Sequence, residues 1–482
     1  MSNLISAISE EQNRSARTEN GAVTFSSTNS EVLNFFSTAG ALRSCRREEI
    51  IQAFSRAFSE DRELAMKTLF YIRDCRGGQG ERRVFRIVWA WLYKNYDSIA
   101  LKNIANVPFY GRWDDLFYDS DSFNFSANYI ISIINKEKKD YTELNLYKWM
   151  PSINTSSPET RFLAQKFCAT LHMSARDYRK MLSTKRAELD IVEKKMSANQ
   201  WSDINFEKVP SKASTIYRKA FWKHEEDRYS NYIDQVEQGK AKINTSVVYP
   251  YEIVREYLVN RSDNDKTLNV IWENLPNYLP EGQTALVMAD TSESMTDSNS
   301  LPLAVSISLA LYMAERNSDP VFGGYFMTFS HNPELVKVTG NNLFERITNL
   351  SNASWGMNTN LQSAFDLILE TAKKNKLSQD KMPSKLIIVS DMKFDAACGV
   401  QTNFEVIQNK YAEAGYEMPT IVFWNVNSSS GNHPVKFDQK GVILVSGCSP
   451  TIFKNVLSSK TTTPYELMLE VLNDERYNRV II

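Results

Sequence analysis

An all-α half followed by an α/β half, with the change of rhythm near residue 280, is the architecture this sequence predicts. Three observations predict it. A chain of 482 residues exceeds what one hydrophobic core usually serves, so several domains are expected. From Leu33 to Tyr257 the apolar residues recur at helical spacing and strand-like alternation is scarce. From Thr284 onward, short apolar runs alternate with helical patterns, the signature of strands joined by helices.

The elements follow in order. Residues 1–30 are polar and rich in Ser, Asn and Glu, and are expected to form a flexible arm. Residues 31–280 form the helical domain. Arg82–Tyr93 carries Val84, Phe85, Ile87, Val88, Trp89, Trp91 and Leu92, a broad apolar face typical of a bundle helix. Ala175–Met196 places Tyr178, Met181, Leu182, Leu189, Val192 and Met196 at helical spacing with basic residues opposite. Helices joined by short Gly, Pro and Asn punctuation predict stacked antiparallel hairpins, either a solenoid or an irregular bundle. No fixed-period repeat is visible. Residues 281–482 form the second domain. Strands are expected at Thr284–Ala289, Val321–Phe329, Leu386–Ser390, Thr420–Val426 and Gly441–Val445, and helices at Leu301–Arg316 and Leu361–Ala372. This order predicts a parallel, doubly wound sheet covered on both faces, with ligands at the carboxyl ends of its strands.

Composition narrows the function classes. A hydrophobic share of 42% and a charged share of 23% exclude wholesale disorder. Fifty-six basic against fifty-seven acidic residues exclude a uniformly basic nucleic-acid coat but not a local basic patch. Five dispersed cysteines without a CxxC pair fit a reducing compartment and not a zinc ribbon. The longest charge-free apolar segment, Ser298–Ala314, is shorter than the ~20 residues a bilayer requires and contains serines and a proline. The N-terminus has no signal-peptide pattern. A cytoplasmic protein is expected.

At the end of the first expected strand the chain reads Asp290-Thr-Ser292-Glu-Ser294. A carboxylate and two hydroxyls on alternate positions point three hard oxygens at one spot, the ligand type that Mg2+ or another divalent cation prefers. The same pattern alone also suits a capped strand-to-helix turn. It resembles the metal-ion-dependent adhesion site of the von Willebrand factor A fold, over residues 281–482. That resemblance implies a completing threonine, met here by Thr359, and an aspartate ending a later strand, met by Asp391. Asp290, Ser292, Ser294, Thr359 and Asp391 would then hold the cation, leaving a position for an acidic group on a protein partner.

The first half carries its own motif. Between Tyr71 and Arg86, the five arginines Arg73, Arg76, Arg82, Arg83 and Arg86 surround a glycine-rich turn that opens a helix. Guanidinium forks match phosphate geometry. The spacing is not that of a nucleotide P-loop, and pairing with acids on neighbouring hairpins would explain the same arginines. A second segment, Lys208 to His224, interleaves Lys212, Arg218, Lys219 and Lys223 with Tyr217, Phe221 and Trp222, a mixture suited to phosphate contact and base stacking. A helix with core aromatics and wet basic residues is the plainer reading of that segment.

The run Arg73-Asp-Cys-Arg76-Gly-Gly-Gln-Gly80-Glu-Arg82, with Tyr110-Gly-Arg112-Trp113-Asp114-Asp115-Leu116, Lys148-Trp149-Met-Pro151-Ser-Ile-Asn154-Thr and Val209-Pro-Ser-Lys-Ala, resembles the TROVE-related family of plant, phage and giant-virus proteins, akin to the Ro autoantigen. The resemblance implies HEAT-like helical repeats joined to a von Willebrand A domain, and binding of structured or misfolded non-coding RNA in a ribonucleoprotein. The alternative function is a metal-dependent protein–protein scaffold without nucleic acid. Four histidines, none at zinc spacing, and no nucleophile elbow or Cys/His pairing argue against an enzyme. A metal-dependent nuclease ranks third, because a site dominated by hydroxyls supplies no general base.

Overall fold

The computed structural model describes residues 4–13, 16–260, 265–329, 332–351, 360–395, 402–428, 432–460 and 463–482. Helices fill the chain from Glu31–Thr38 to Lys266–Glu273. Their boundaries follow local chemistry. Ser30, Asp61, Asp140, Ser157 and Ser174 each cap a helix by accepting from a first-turn amide, which satisfies a donor the helix itself cannot. The single helix expected over Ala175–Met196 is two, Ala175–Glu188 and Val192–Ser197. Asp190, at φ 50°, adopts the left-handed conformation between them, and the apolar spacing runs across the break without revealing it.

In the second half, the six strands are β1 (Ala285–Ala289), β2 (Tyr325–Thr328), β3 (Leu335–Lys337), β4 (Lys385–Ser390), β5 (Thr420–Asn425) and β6 (Val442–Ser446). They lie in the order β3-β2-β1-β4-β5-β6. All neighbours are parallel except the β2–β3 pair at the edge. β3 is three residues long and mostly exposed, so it carries no apolar run to read. The strand expected from Val321 begins only at Tyr325, because the Asp319 carboxylate accepts from the amides of Val321 and Phe322 and closes a turn there.

The sheet's two faces belong to different cores. Leu286, Met288, Leu386, Ile388, Ile421 and Phe423 pack on the helices Leu361–Asn375 and Asn403–Glu413. Val287, Ile387, Val389, Trp424 and Ile443 join one continuous apolar cluster with Phe36, Phe54, Trp89 and Trp272 of the helical half. Residue 280 therefore marks a change of element type inside a shared core. The C-terminal segment returns to the helical half, where Tyr477 stacks on Tyr110 at 5.6 Å and Arg476 pairs with the buried Asp74. Gly40 allows a close approach of the halves: a Cβ there would stand 2.7 Å from the Gly447 Cα.

The N-terminal segment differs from expectation. Leu4–Asn13 is helical, and from Ala16 the segment lies against the second half. Thr18 donates to the Phe394 carbonyl at 2.6 Å, Phe25 and His433 exchange backbone hydrogen bonds at 2.9 Å, and Ala22 is buried in the sheet's outer core. Small polar residues serve as a strap through side-chain and backbone hydrogen bonds to distant carbonyls, which composition does not report.

Candidate metal centre and basic surfaces

β1 and β4 are paired in register from Ala285–Lys385 to Ala289–Val389, so the residues that follow the paired stretch, Asp290 on one side and Ser390–Asp391 on the other, emerge side by side at the carboxyl end of the sheet. Asp290 is fully buried. Its Oδ1 accepts from the Ser292 amide at 2.9 Å and its Oδ2 from the Ser390 hydroxyl at 2.5 Å. The Ser292 and Ser294 hydroxyls lie 3.2 Å apart, and Ser294 bonds to Asp391. The structure thus brings together Asp290, Ser292, Ser294 and Asp391. Thr359 lies outside the described residues; the helix after it starts at Leu361, with the Asn360 side chain accepting from Ser363.

Charge at this centre is only partly compensated. Burial pushes the Asp290 carboxyl up, partly offset by the bonds from Ser390 and Ser292. Burial, and then the neighbouring Asp290, raise Asp391 to about 6. Asp391 Oδ2 is buried and has no hydrogen-bond donor, and the Thr291 hydroxyl oxygen is likewise buried without a partner. The Lys393 ammonium stands 3.8 Å from that Asp391 oxygen and pairs with Glu19 of the N-terminal strap at 2.6 Å. Among the described residues no three His, Cys, Asp or Glu side chains gather as a metal cluster. The set here is two carboxylates with hydroxyls, oxygen-only, which is the donor chemistry of a hard cation. Ser390 belongs to the centre although its sequence context is only that of a strand end; the register opposite Asp290 is what recruits it.

The arginine-rich corner sorts its cations. Arg73 is 3% exposed and bonds to the fully buried Asp115 through Nε at 2.8 Å and Nη2 at 2.6 Å. Arg86 bonds Asp115 Oδ1 at 2.8 Å and Asp114 Oδ2 at 2.9 Å. Arg73, expected at an RNA surface, is an internal tie, because a guanidinium enclosed beside a carboxylate has little face left for a phosphate; Arg86, 21% exposed, spends Nε and Nη2 on these acids. Arg76, Arg82 and Arg83 are exposed. Arg76 and Arg83 donate to the carbonyls of Phe109 and Arg43. The helix Arg83–Asn95 does not offer its first amides to a ligand, since Glu81 Oε1 accepts from Arg83 at 2.9 Å. Sequence reasoning passes over Arg112 as a site residue. It grips Asp114 through Nε at 2.8 Å and Nη2 at 2.6 Å and stacks 4.1 Å from the Trp149 ring centroid. Arg112 stands in the Tyr110–Leu116 motif and Trp149 in the Lys148–Thr155 motif, and only the fold brings them together at the corner.

The second basic segment forms the helix Ser211–His224. Arg218 is 4% exposed and tied to Glu256 at 2.6 Å and Asp265 at 2.8 Å, so it too moves from the surface to the interior. Lys212 pairs with Glu252 and lies 4.9 Å from the Tyr249 ring. Lys219 and Lys223 are exposed. The aromatics are structural: Phe221 is buried, Trp222 donates to Thr267 at 2.9 Å and Tyr217 to Glu193 at 3.3 Å.

Two family profiles match, each described as a domain of unknown function: DUF2828 over residues 18–112 and 155–278, and DUF7788 over residues 284–479. Their junction coincides with the change from helices to sheet. Uncharacterized protein L728 of Acanthamoeba polyphaga mimivirus is 29% identical over 512 aligned positions, covering 96% of this chain and 88% of that protein. The crystal structure of the Deinococcus radiodurans RO (RSR) protein aligns over 90% of this chain and 100% of that one at 13% identity, with a TM-score of 0.37. Among the described residues no helix is long and apolar enough to cross a membrane.

Proposed function

We propose that this chain is a Ro-like RNA-binding protein that meets structured or misfolded non-coding RNA on the basic surface of its helical half. The observation that carries the reading is the set of exposed cations left over once the internal ion pairs are subtracted: Arg76, Arg82 and Arg83 at the corner, with Lys219 and Lys223 on the helix Ser211–His224. Surface cations whose charge is not consumed by neighbouring acids are what a phosphate backbone exploits, and they bind it by releasing its counterions. The TROVE-like motifs of the sequence favour the same reading. The test is fluorescence anisotropy with a structured RNA across a salt series, together with sequencing of nucleic acid that accompanies the native protein. Affinity falling steeply with salt, and weakened by joint charge reversal of Arg76, Arg82 and Arg83, is expected. A protein that carries no nucleic acid and binds none at low salt would refute the reading.

A second reading rests on a separate observation, the unbonded Asp391 Oδ2 among buried oxygens. It supports a divalent-cation adhesion site held by Asp290, Ser292, Ser294 and Asp391, with Thr359 as the further expected ligand. When bound, a hard cation such as Mg2+ would supply an electrophilic position for a carboxylate of a protein partner. The chain's own residues do the rest. Ser390 and the Ser292 amide hold Asp290 in one orientation, and Lys393 occupies the approach to Asp391. A Mg2+-dependent rise in melting temperature, lost in Asp290→Ala, is expected; no rise in the unaltered chain would remove the metal from the proposal.

A further inference from the structure

The corner holds more positive charge than it neutralises. Four guanidiniums, those of Arg73, Arg82, Arg86 and Arg112, converge on two carboxylates, Asp114 and Asp115. Asp114 Oδ2 is shared three ways: Arg112 at 2.6 Å, Arg86 at 2.9 Å and Arg82 at 3.9 Å. Arg82 comes last and stands beyond hydrogen-bond distance of it. Its side chain is 49% exposed, and burial, then repulsion from Arg112 and Arg86, holds its guanidinium below the ordinary arginine value. Other donors are also left over. Arg86 uses Nε and Nη2, and Arg112 uses Nε and Nη2, so Nη1 of each makes no hydrogen bond among the described residues. Rings fix both forks from behind, Tyr118 at 5.0 Å from Arg86 and Trp149 at 4.1 Å from Arg112. The donors are therefore pre-positioned, which reduces the entropy lost on binding.

We propose that Arg82, Arg86 and Arg112 form a subsite for a terminal phosphate, the monoester at the end of a nucleic-acid strand. The inference rests on the RNA-binding reading and specifies one of its contacts. Charge selects the ligand. The corner's excess is two positive charges; a phosphate monoester carries about −1.5 to −2 at neutral pH, whereas an internal phosphodiester carries about −1. Three forks with free N–H groups suit the three terminal oxygens of a monoester, while a diester offers two. Asp114 acts as an internal competitor, holding the forks in place and setting the affinity.

The experiment compares one short RNA bearing a 5′-phosphate, a 3′-phosphate or hydroxyls at both ends, by anisotropy with the full chain. One phosphorylated form should bind about tenfold more tightly than the hydroxyl form. Arg82→Gln should erase that preference, weakening the phosphorylated form by about tenfold and the hydroxyl form by distinctly less; Arg82→Lys should restore part of it. Whichever end is preferred identifies the source of the phosphate. Equal binding of all three RNAs, or a preference that survives Arg82→Gln, overturns the subsite while the RNA-binding reading stands. Should no RNA bind, inorganic pyrophosphate still tests the corner: a rise in melting temperature lost in Arg82→Gln supports it, and no rise overturns it.

Discussion

Arg73–Asp115 in the helical half and Asp290–Asp391 in the sheet half are both buried pairs of ionisable groups, yet the first pair has opposite signs and the second has the same sign. At the corner each enclosed cation faces an acid, so the interior is electrostatically complete and the surplus lies at the rim, where Arg82, Arg86 and Arg112 share Asp114. At the end of the sheet two carboxylates share a site with hydroxyls, and one oxygen has no donor. Complete pairs hold a fold together; incomplete ones are where a ligand gains most. The difference explains why an arginine-rich motif dissolves partly into structure while a sparse D-x-S-x-S motif keeps an oxygen with bonding capacity to spare.

The largest expected effect breaks the complete pair. Asp115→Ala leaves Arg73, 3% exposed, charged and enclosed, and removes a partner of Arg86 as well. Such a change costs about 3–5 kcal/mol. Urea unfolding should register it as a lower midpoint with an unchanged slope. A midpoint within error of the unaltered chain would mean that the corner relaxes and that its charges are not interior ties.

A third way of burying an ionisable group, neutral and alone, occurs at His433, which anchors the N-terminal strap. Burial, and secondarily Arg56, lower it to about 4 from an ordinary 6.5. A depressed histidine stabilises the fold above its unfolded value, and the contribution is lost as pH falls through the folded one. Between pH 6.5 and 4 the chain should lose about 2–3 kcal/mol, and His433→Gln should flatten that part of the profile. Hydrogen exchange at Phe25, whose amide bonds to the His433 carbonyl, should quicken over the same window.

The incomplete pair should respond with the opposite sign. Asp391→Asn removes one of two like charges from a buried site, so without added metal the chain gains about 1–2 kcal/mol at pH 7, part of the gain being offset by an amide lacking an acceptor. The same variant should lose any melting shift produced by Mg2+. A destabilised variant would place Asp391 among the structural carboxylates, alongside Asp115.

What is legible in the sequence follows the same line. The strands Leu386–Ser390 and Thr420–Val426 are legible because buried parallel strands are continuous apolar runs, and Asp290 and Asp391 because they terminate such runs. The exposed edge strand Leu335–Lys337 has no such signature. Ser390 and Arg112 enter their sites through register and through packing between distant segments, which no local window contains. The strap reads as an arm because small polar residues tie it to carbonyls of segments distant in the sequence. Exposure is the other hidden variable: Arg73 and Arg218 look like Arg82 and Lys219 in a sequence, and only the positions of Asp115, Glu256 and Asp265 separate them.

The smallest effect tests that separation within one helix. Arg218 and Lys219 are consecutive, but a turn of about 100° per residue puts them on different faces: one meets Glu256 and Asp265, the other meets solvent. Reversing Lys219 and Lys223 to glutamate should therefore change stability by less than about 0.5 kcal/mol, whereas Arg218→Ala, which strands two acids, should cost several times more. If these lysines touch phosphate, the double reversal should weaken RNA binding evenly across sequences. It should also reduce the slope of log affinity against log salt by about 0.7 for each phosphate no longer neutralised. An unchanged slope would confine the RNA surface to the arginine corner, and a large drop in stability would show that the two lysines, like their neighbour, are spent inside the fold.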